Sequence, residues 1–171
     1  MKQSILNTFP TAAKSILSEM GFESIDVNKY EANEECSFLA SIGLAGDIHG
    51  HFVIYATQTD AYNFANAMME ALSIHSPEEG FGIFRKGVLA EFANQVSGRA
   101  AMLLSEKDVE CRITPPTIIM GKGVHTDFCT TPTLKKYTIE GTFGTIHFMV
   151  GLKNQKEDSK TKKFQAKKRE L

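Results

Sequence analysis

The apolar positions of this chain follow two rhythms, one helical and one extended. In GVLAEFANQVSGRAAMLL, residues Gly87 to Leu104, the positions Leu89, Phe92, Val96, Ala100 and Leu103 form a stripe at helical spacing. Glu91 and Asn94 lie about 60° apart around a helix axis and share the other face. Gly87, Gln95, Gly98 and Ala101 fall on or beside that polar face. A first helix is predicted over about Thr8 to Met20, from the amphipathic start MKQSILNTFPTAAKSIL, with Gly21 placed to close it. Another runs through Tyr62, Phe64, Ala65, Met68, Met69 and Leu72, with Thr59 or Asp60 as its N-cap. Ser76-Pro77-Glu78-Glu79-Gly80 then breaks the chain ahead of the central helix.

Strand-like pieces occupy Ile25 to Tyr30, Cys36 to Leu44, His51 to Tyr55, Val109 to Thr114, Thr117 to Met120, Thr133 to Glu140 and Thr145 to Leu152. Ala45-Gly46-Asp47 is turn chemistry, so the second and third of these pair as a hairpin. Residues 42–54 and 136–148 resemble each other in outline at a separation of 94. In each, an apolar strand leads to glycine and then to a second apolar strand starting at Gly50 or Gly144. The pattern predicts an α+β fold, an antiparallel sheet of two related helix–hairpin halves flanked by helices, rather than a βαβ arrangement.

Composition narrows the class. With 171 residues, 42% of them hydrophobic, the chain suits one globular domain. It contains no run of 18 or more apolar residues, so no transmembrane helix is expected, and the start lacks the continuous apolar stretch of a signal peptide. Cys36, Cys111 and Cys129 are odd in number and show no CxxC spacing, which points to reduced thiols and a cytoplasmic protein. The net charge of −1 hides an asymmetry: from Lys153 to Leu171 eight Lys or Arg face three acids, leaving −6 on the rest. The chain therefore divides into a domain over 1–152 and a basic, solvated tail over 153–171. Such a tail can bind phosphate backbones, but a solubilising role suffices, and no nucleic-acid partner is expected.

Candidate chemistry concentrates on the central helix. Two glycines inside a helix cost about 1 kcal/mol each relative to alanine, a cost that marks close approach by something. An acid and an amide on such a low ridge suit contact with a partner's surface. Elsewhere the signals are thinner. His49-x-His51 places two imidazoles on one strand face, yet no third ligand is near in sequence, and a turn followed by a strand start accounts for both. No metal site is expected. His75, His125 and His147 come without a Ser or Cys partner, and Gly121-Lys122-Gly123 lacks the spacing of a phosphate-binding loop. Phe81, Phe84, Val88 and Phe92 read as a contact patch of which half or more is core, and Met68-Met69 as packing.

Three segments taken together resemble a known family. IGLAGDIHGHFVIYA precedes a helix holding Ala67-Met68-Met69; LAEFANQVSGRAAMLL carries Glu91-x-x-Asn94-x-x-x-Gly98; and CRITPPTIIMGKG carries Pro115-Pro116, with Pro116 22 residues after Asn94. In that order, over roughly residues 1 to 152, the chain resembles the CheC/CheX/FliY chemotaxis phosphatases, and most of all the CheX branch. The resemblance implies a CheC-like fold and a cytoplasmic hydrolase acting on the phospho-aspartate of CheY-type response regulators in two-component signalling. It implies Glu91 and Asn94 as the catalytic pair, with Gly87, Gln95 and Gly98 at the partner surface. Asn94 would orient the attacking water, and Glu91 would pair with the regulator's lysine. The first helix ends Ser18-Glu19-Met20-Gly21-Phe22 with no second Glu-x-x-Asn, so one site per chain is expected, as in CheX. Where relatives often carry Asp or Ser four residues before the glutamate, this chain has Gly87.

No cofactor of the chain's own is expected; Mg²⁺ belongs to the regulator's active site. CheX-like relatives dimerise by joining sheets, so a homodimer is expected, with Lys135 to Glu140 or His147 to Leu152 as the pairing edge. The alternative reading is a non-catalytic CheC-like module that docks on a response regulator or the flagellar switch.

Overall fold

A computed structural model of the chain describes residues 2–22, 26–30, 36–124 and 133–153. His125, Cys129 and the basic tail beyond Lys153 lie outside the described residues. The elements run α1 Lys2–Leu6, α2 Thr8–Glu19, β1 Asp26–Tyr30, β2 Cys36–Gly46, β3 His49–Ala56, α3 Gln58–Ala71, α4 Ile83–Ser105, β4 Cys111–Ile113, β5 Thr117–Val124, β6 Thr133–Gly141 and β7 Gly144–Lys153. Seven antiparallel strands form one sheet in the order β1-β6-β7-β3-β2-β4, with β5 also on β2. The α+β expectation holds.

The two hairpins, β2–β3 and β6–β7, lie side by side and meet along β3 and β7 at the sheet centre. Their likeness is real but its register is not uniform. The second strands superpose at the predicted 94 residues, Gly50 onto Gly144 and Phe52 onto Ile146, with both apolar sets facing the main core. The first strands superpose at 97, because five residues separate the pair Leu44↔Gly50 and only two separate Gly141↔Gly144. At 94, Ile42 would lie over Lys136 and exchange faces; its true counterpart is Ile139.

One face of the sheet carries the main core. Phe9 of α2 stacks on Phe52 of β3 at 5.6 Å, and Phe64 of α3 meets Phe92 of α4 edge-on at 5.1 Å. Leu89, Phe92, Val96 and Ala100, the predicted apolar stripe of α4, are all buried, and Leu103 packs half-buried against them. Met68 and Met69 are likewise buried, as is Phe92, while Phe81, Phe84 and Val88 are half-buried. The other face of the sheet holds a smaller cluster around Leu39, Val53, Tyr55 and Met149.

Several local expectations shift. The N-terminal stretch forms two helices rather than one, since the chain turns at Asn7. The second of them, α2, keeps the expected span to within a residue and is closed as expected by Gly21, whose φ of +87° is the left-handed conformation that glycine adopts without a Cβ clash. The N-cap of α3 is Thr57, not Thr59 or Asp60. Thr57 has extended φ and ψ, its hydroxyl accepts from the Asp60 backbone N–H, and it donates to the Asp60 carboxylate in return. Helix α4 begins four residues before Gly87, at Ile83. Gly82 offers no side-chain cap, and Glu78 Oε2 instead accepts from the Phe84 N–H at 3.3 Å.

The expected dimer edges are corrected. Strand β6 pairs with β1 and β7, and β7 with β6 and β3, so Lys135 to Glu140 and His147 to Leu152 are interior to the sheet. Among the described residues the edges are β1 on one side and β4 with β5 on the other. β4 and β5 lie end to end along β2 because Pro115 and Pro116 cannot donate to a ladder. Thr114 bridges the break: its N–H donates to the Gly43 carbonyl at 3.0 Å, and its hydroxyl accepts from the Gly43 N–H at 2.9 Å.

Candidate functional site

Helix α4 places Glu91 and Asn94 on one exposed ridge, opposite the stripe that anchors it to the sheet. Glu91 is exposed and Asn94 half-buried. The Asn94 Nδ2 lies 3.5 Å from Glu91 Oε2, a long contact, and Gln95 Nε2 donates to Glu91 Oε1 at 3.1 Å. Glu91 thus sits between two amides. Among the described residues no cation lies within ion-pair distance of it, and no group donates to Asn94 Oδ1. The exposed carboxylate and the half-buried amide oxygen both keep acceptor capacity to spare among the described residues.

The glycines of the ridge have no internal reason to be small. A Cβ added at Gly87 or at Gly98 would meet no heavy atom within 4 Å. Each therefore keeps the helix surface low toward solvent rather than making room for a neighbouring element. Ala101 continues the same low face, half-buried.

Two arginine clamps fix this helix, and neither was legible in the sequence. Arg99, one turn past Gln95, grips Glu19 at the end of α2 through two hydrogen bonds of 2.7 and 2.9 Å, and donates to Ser15 Oγ at 2.9 Å. The Arg99 guanidinium holds the Glu19 carboxyl below its ordinary range, with Ser15 assisting. Arg85, near the helix start, donates to Asn66 Oδ1 of α3 at 2.6 Å and to the carbonyls of Glu78 and Gly80 at 2.8 and 2.7 Å. Its guanidinium also lies 5.0 Å from the Tyr62 ring centroid. These partners are 5 to 84 residues apart in sequence and all lie outside α4, so no pattern within the helix announces them.

Beside Glu91 runs a groove of about 360 Å³, walled by Met20, Met68, Leu72, Ile74, Ile83 and Val88, with Gly87 and Gln95 on its border. Asn94, on the same ridge as Glu91, is not among the groove's lining residues. His49 is exposed and His51 half-buried on β3, where burial lowers the His51 imidazole pKa and the nearby Lys153 adds to the effect. Both are remote in the sheet from the first half of α4.

Comparison with known proteins decides the kinship. The model of the chemotaxis phosphatase CheX family matches residues 38–135, more than half of the chain, with the whole of α3 and α4 and, from Phe38 on, the hairpin before them. The chain belongs to the CheX family. A curated relative, the CheY-P phosphatase CheX of Thermotoga maritima, is 26% identical over 88 residues, 52% of this chain and 54% of that protein. The matched segment thus spans about half of that relative's length. A CheC-like chemotaxis protein from Shewanella oneidensis superposes with a TM-score of 0.73 at 19% identity, covering 90% of this chain and all of that one. The CheX of Borrelia burgdorferi, solved as a CheX–CheY–BeF₃–Mg²⁺ complex, gives a TM-score of 0.67 at 21% identity over 86% of this chain and 97% of that one. At those identities the structural likeness speaks for the fold. No helix among the described residues is long and apolar enough to cross a membrane.

Proposed function

We propose that this CheX-family chain hydrolyses the phospho-aspartate of a CheY-type response regulator, with Asn94 and Glu91 as its working pair. The observation that carries the reading is the adjacent Glu91/Asn94 pair, off the buried stripe on a ridge kept low by Gly87 and Gly98, inside the segment that matches the family. An acyl phosphate is already labile, so acceleration asks mainly for a water held in line with the P–O bond that breaks. Water attacks phosphorus, the bond to the aspartyl oxygen breaks, the carboxylate is regenerated and inorganic phosphate leaves. A carboxamide both accepts and donates, so Asn94 can hold that water without any shifted pKa. The regulator supplies Mg²⁺ and its lysine to the phosphoryl oxygens; this chain needs no cofactor of its own. Glu91, lacking a cation among the described residues, is free to take the regulator's lysine. Gln95 holds one Glu91 oxygen and leaves the other toward Asn94.

Phosphate release from an acetyl-phosphate-loaded regulator tests the reading, and binding without release would leave a docking module instead. Glu91→Ala is expected to act mainly on association, weakening binding of the phosphorylated regulator about tenfold or more through loss of a charge-assisted pair. Titration calorimetry with the BeF₃-loaded regulator reads this directly; full affinity would remove Glu91 from docking.

We also propose a homodimer, now through the β5 edge. Ile118 and Ile119 stand 37% and 44% exposed there, on a strand that pairs only with β2 among the described residues. Both Glu91/Asn94 ridges would remain accessible, one regulator to each. Light scattering on the full chain, and on a chain ending at Asn154, should give a dimer in both cases. A strict monomer at micromolar concentration would remove it.

A further inference from the structure

The apolar groove beside Glu91 is open at its rim. Ile83 is 80% exposed, Leu72 46% and Ile74 38%, three of the six large hydrophobic side chains that stand exposed among the described residues. They come from the end of α3, the connection that follows and the first residue of α4, yet they line one depression. A soluble surface scatters its exposed aliphatics singly; a contiguous set around a concavity marks a contact site.

This depression is also held rigidly. Arg85 ties the Ser76–Gly80 connection to Asn66 and Tyr62, and Glu78 caps the first turn of α4, so Ile74 and Ile83 are fixed on both flanks. A Cβ at Gly82 would run into the Glu78 carboxylate, so that cap depends on glycine there. Glu91 is the one charged residue of the groove's lining, unpaired with any cation among the described residues.

We infer that the groove receives an aliphatic or aromatic side chain of the phosphorylated regulator, carried by the segment whose lysine meets Glu91. The inference rests on the proposed phosphatase reading and names the surface that selects the regulator. Three features favour this occupant. Glu91, Gly87 and Gln95 border the groove and also belong to the ridge that bears Asn94, so a regulator seated over Asn94 covers both. One carboxylate among otherwise mostly apolar lining matches a cation with a neighbouring hydrophobic group. The rim is open, with Ile83, Leu72 and Ile74 exposed on it, so a protein surface can reach the apolar walls directly. Gly87 contributes as well, leaving the border bare of a side chain.

Steady-state phosphate release and BeF₃-regulator titration on the full chain, for wild type, Ile83→Ser and Leu72→Ser, test the inference. Both variants change exposed positions, and circular dichroism checks that they fold. Each is expected to raise KM and Kd about tenfold with kcat held within about twofold, the loss expected for an apolar contact at an interface centre. If wild type turns over the regulator and both variants keep its KM, the groove is not a docking surface while the phosphatase reading stands. If wild type shows no turnover, the phosphatase reading fails, and the Kd values alone decide the groove. Weakened binding in the variants then supports it; unchanged binding, or no binding by wild type, overturns it. The fluorescent apolar probe ANS provides a second readout: regulator binding should displace it from the wild-type chain, and retention of the probe in the saturated complex would also overturn the inference.

Discussion

Asn94→Ala is expected to lower kcat for the phosphorylated regulator by about 10²-fold or more, in line with removal of a single preorganised polar group, while fold and binding persist. The structure makes this a clean substitution. Asn94 lies off the buried stripe of α4, and its only side-chain hydrogen bond among the described residues is the 3.5 Å contact to Glu91. Alanine is the better helix former, by a few tenths of a kcal/mol, so α4 has no reason to loosen. Glu91 retains Gln95 as a donor and keeps its charge for docking. Loss should therefore appear in kcat, with Kd for the BeF₃-loaded regulator nearly unchanged. Asn94→Asp sharpens the test. A carboxylate accepts but cannot donate, and it sets negative charge against an anionic phosphoryl group, so it should not restore activity. An alanine variant that releases phosphate at the wild-type rate would show that the water is held by something else.

How far the sequence foretold this site depends on the range of the forces that build it. The ridge on α4 was legible because helical periodicity is local: one buried stripe at Leu89, Phe92, Val96 and Ala100 fixes which residues face outward. Helix ends were less legible. The cap on α3 moved to Thr57 because only the backbone geometry reveals which hydroxyl meets the Asp60 N–H. The start of α4 moved to Ile83 because Glu78, outside the helix, supplies its cap. Strand pairing lay further out of reach. The outline likeness of two hairpins was visible, but their three-residue difference in turn length was not, and it shifts the face of every residue in the first strand. Nor does a strand's sequence say whether it is an edge. β7 is apolar mainly on one face (Ile146, Phe148, Val150 and Leu152), as a half-exposed strand would be, yet residues Ile146 to Leu152 are all buried and it lies at the sheet centre. The Arg85 and Arg99 clamps and the groove join residues from separate elements, and no spacing within one element announces them.

Gly98→Leu should make the protein more stable and disable it together. A glycine in a helix interior costs about 0.8–1.0 kcal/mol relative to alanine, and leucine is nearly as good a helix former as alanine. A Cβ at Gly98 would meet nothing within 4 Å, so no clash inside the chain offsets that gain. A small rise in Tm is the expected result. The same side chain would harm docking. Helical side chains lean toward the N-terminus and cover the turn before their own Cα, so a leucine at this position would lie over the turn that carries Asn94. Raising that turn by a bulky group holds the regulator's phosphoryl group away from the amide, and affinity should fall about 10²-fold, the scale of a lost interface anchor. Gly98→Ala should share the gain in Tm with a smaller loss of affinity, since one methyl raises the ridge less. Thermal unfolding and BeF₃-regulator titration on both variants separate the two effects. If the leucine variant gains stability and keeps wild-type binding and turnover, the regulator does not approach over the glycine face, and the docking geometry proposed for Glu91 and Asn94 falls with it.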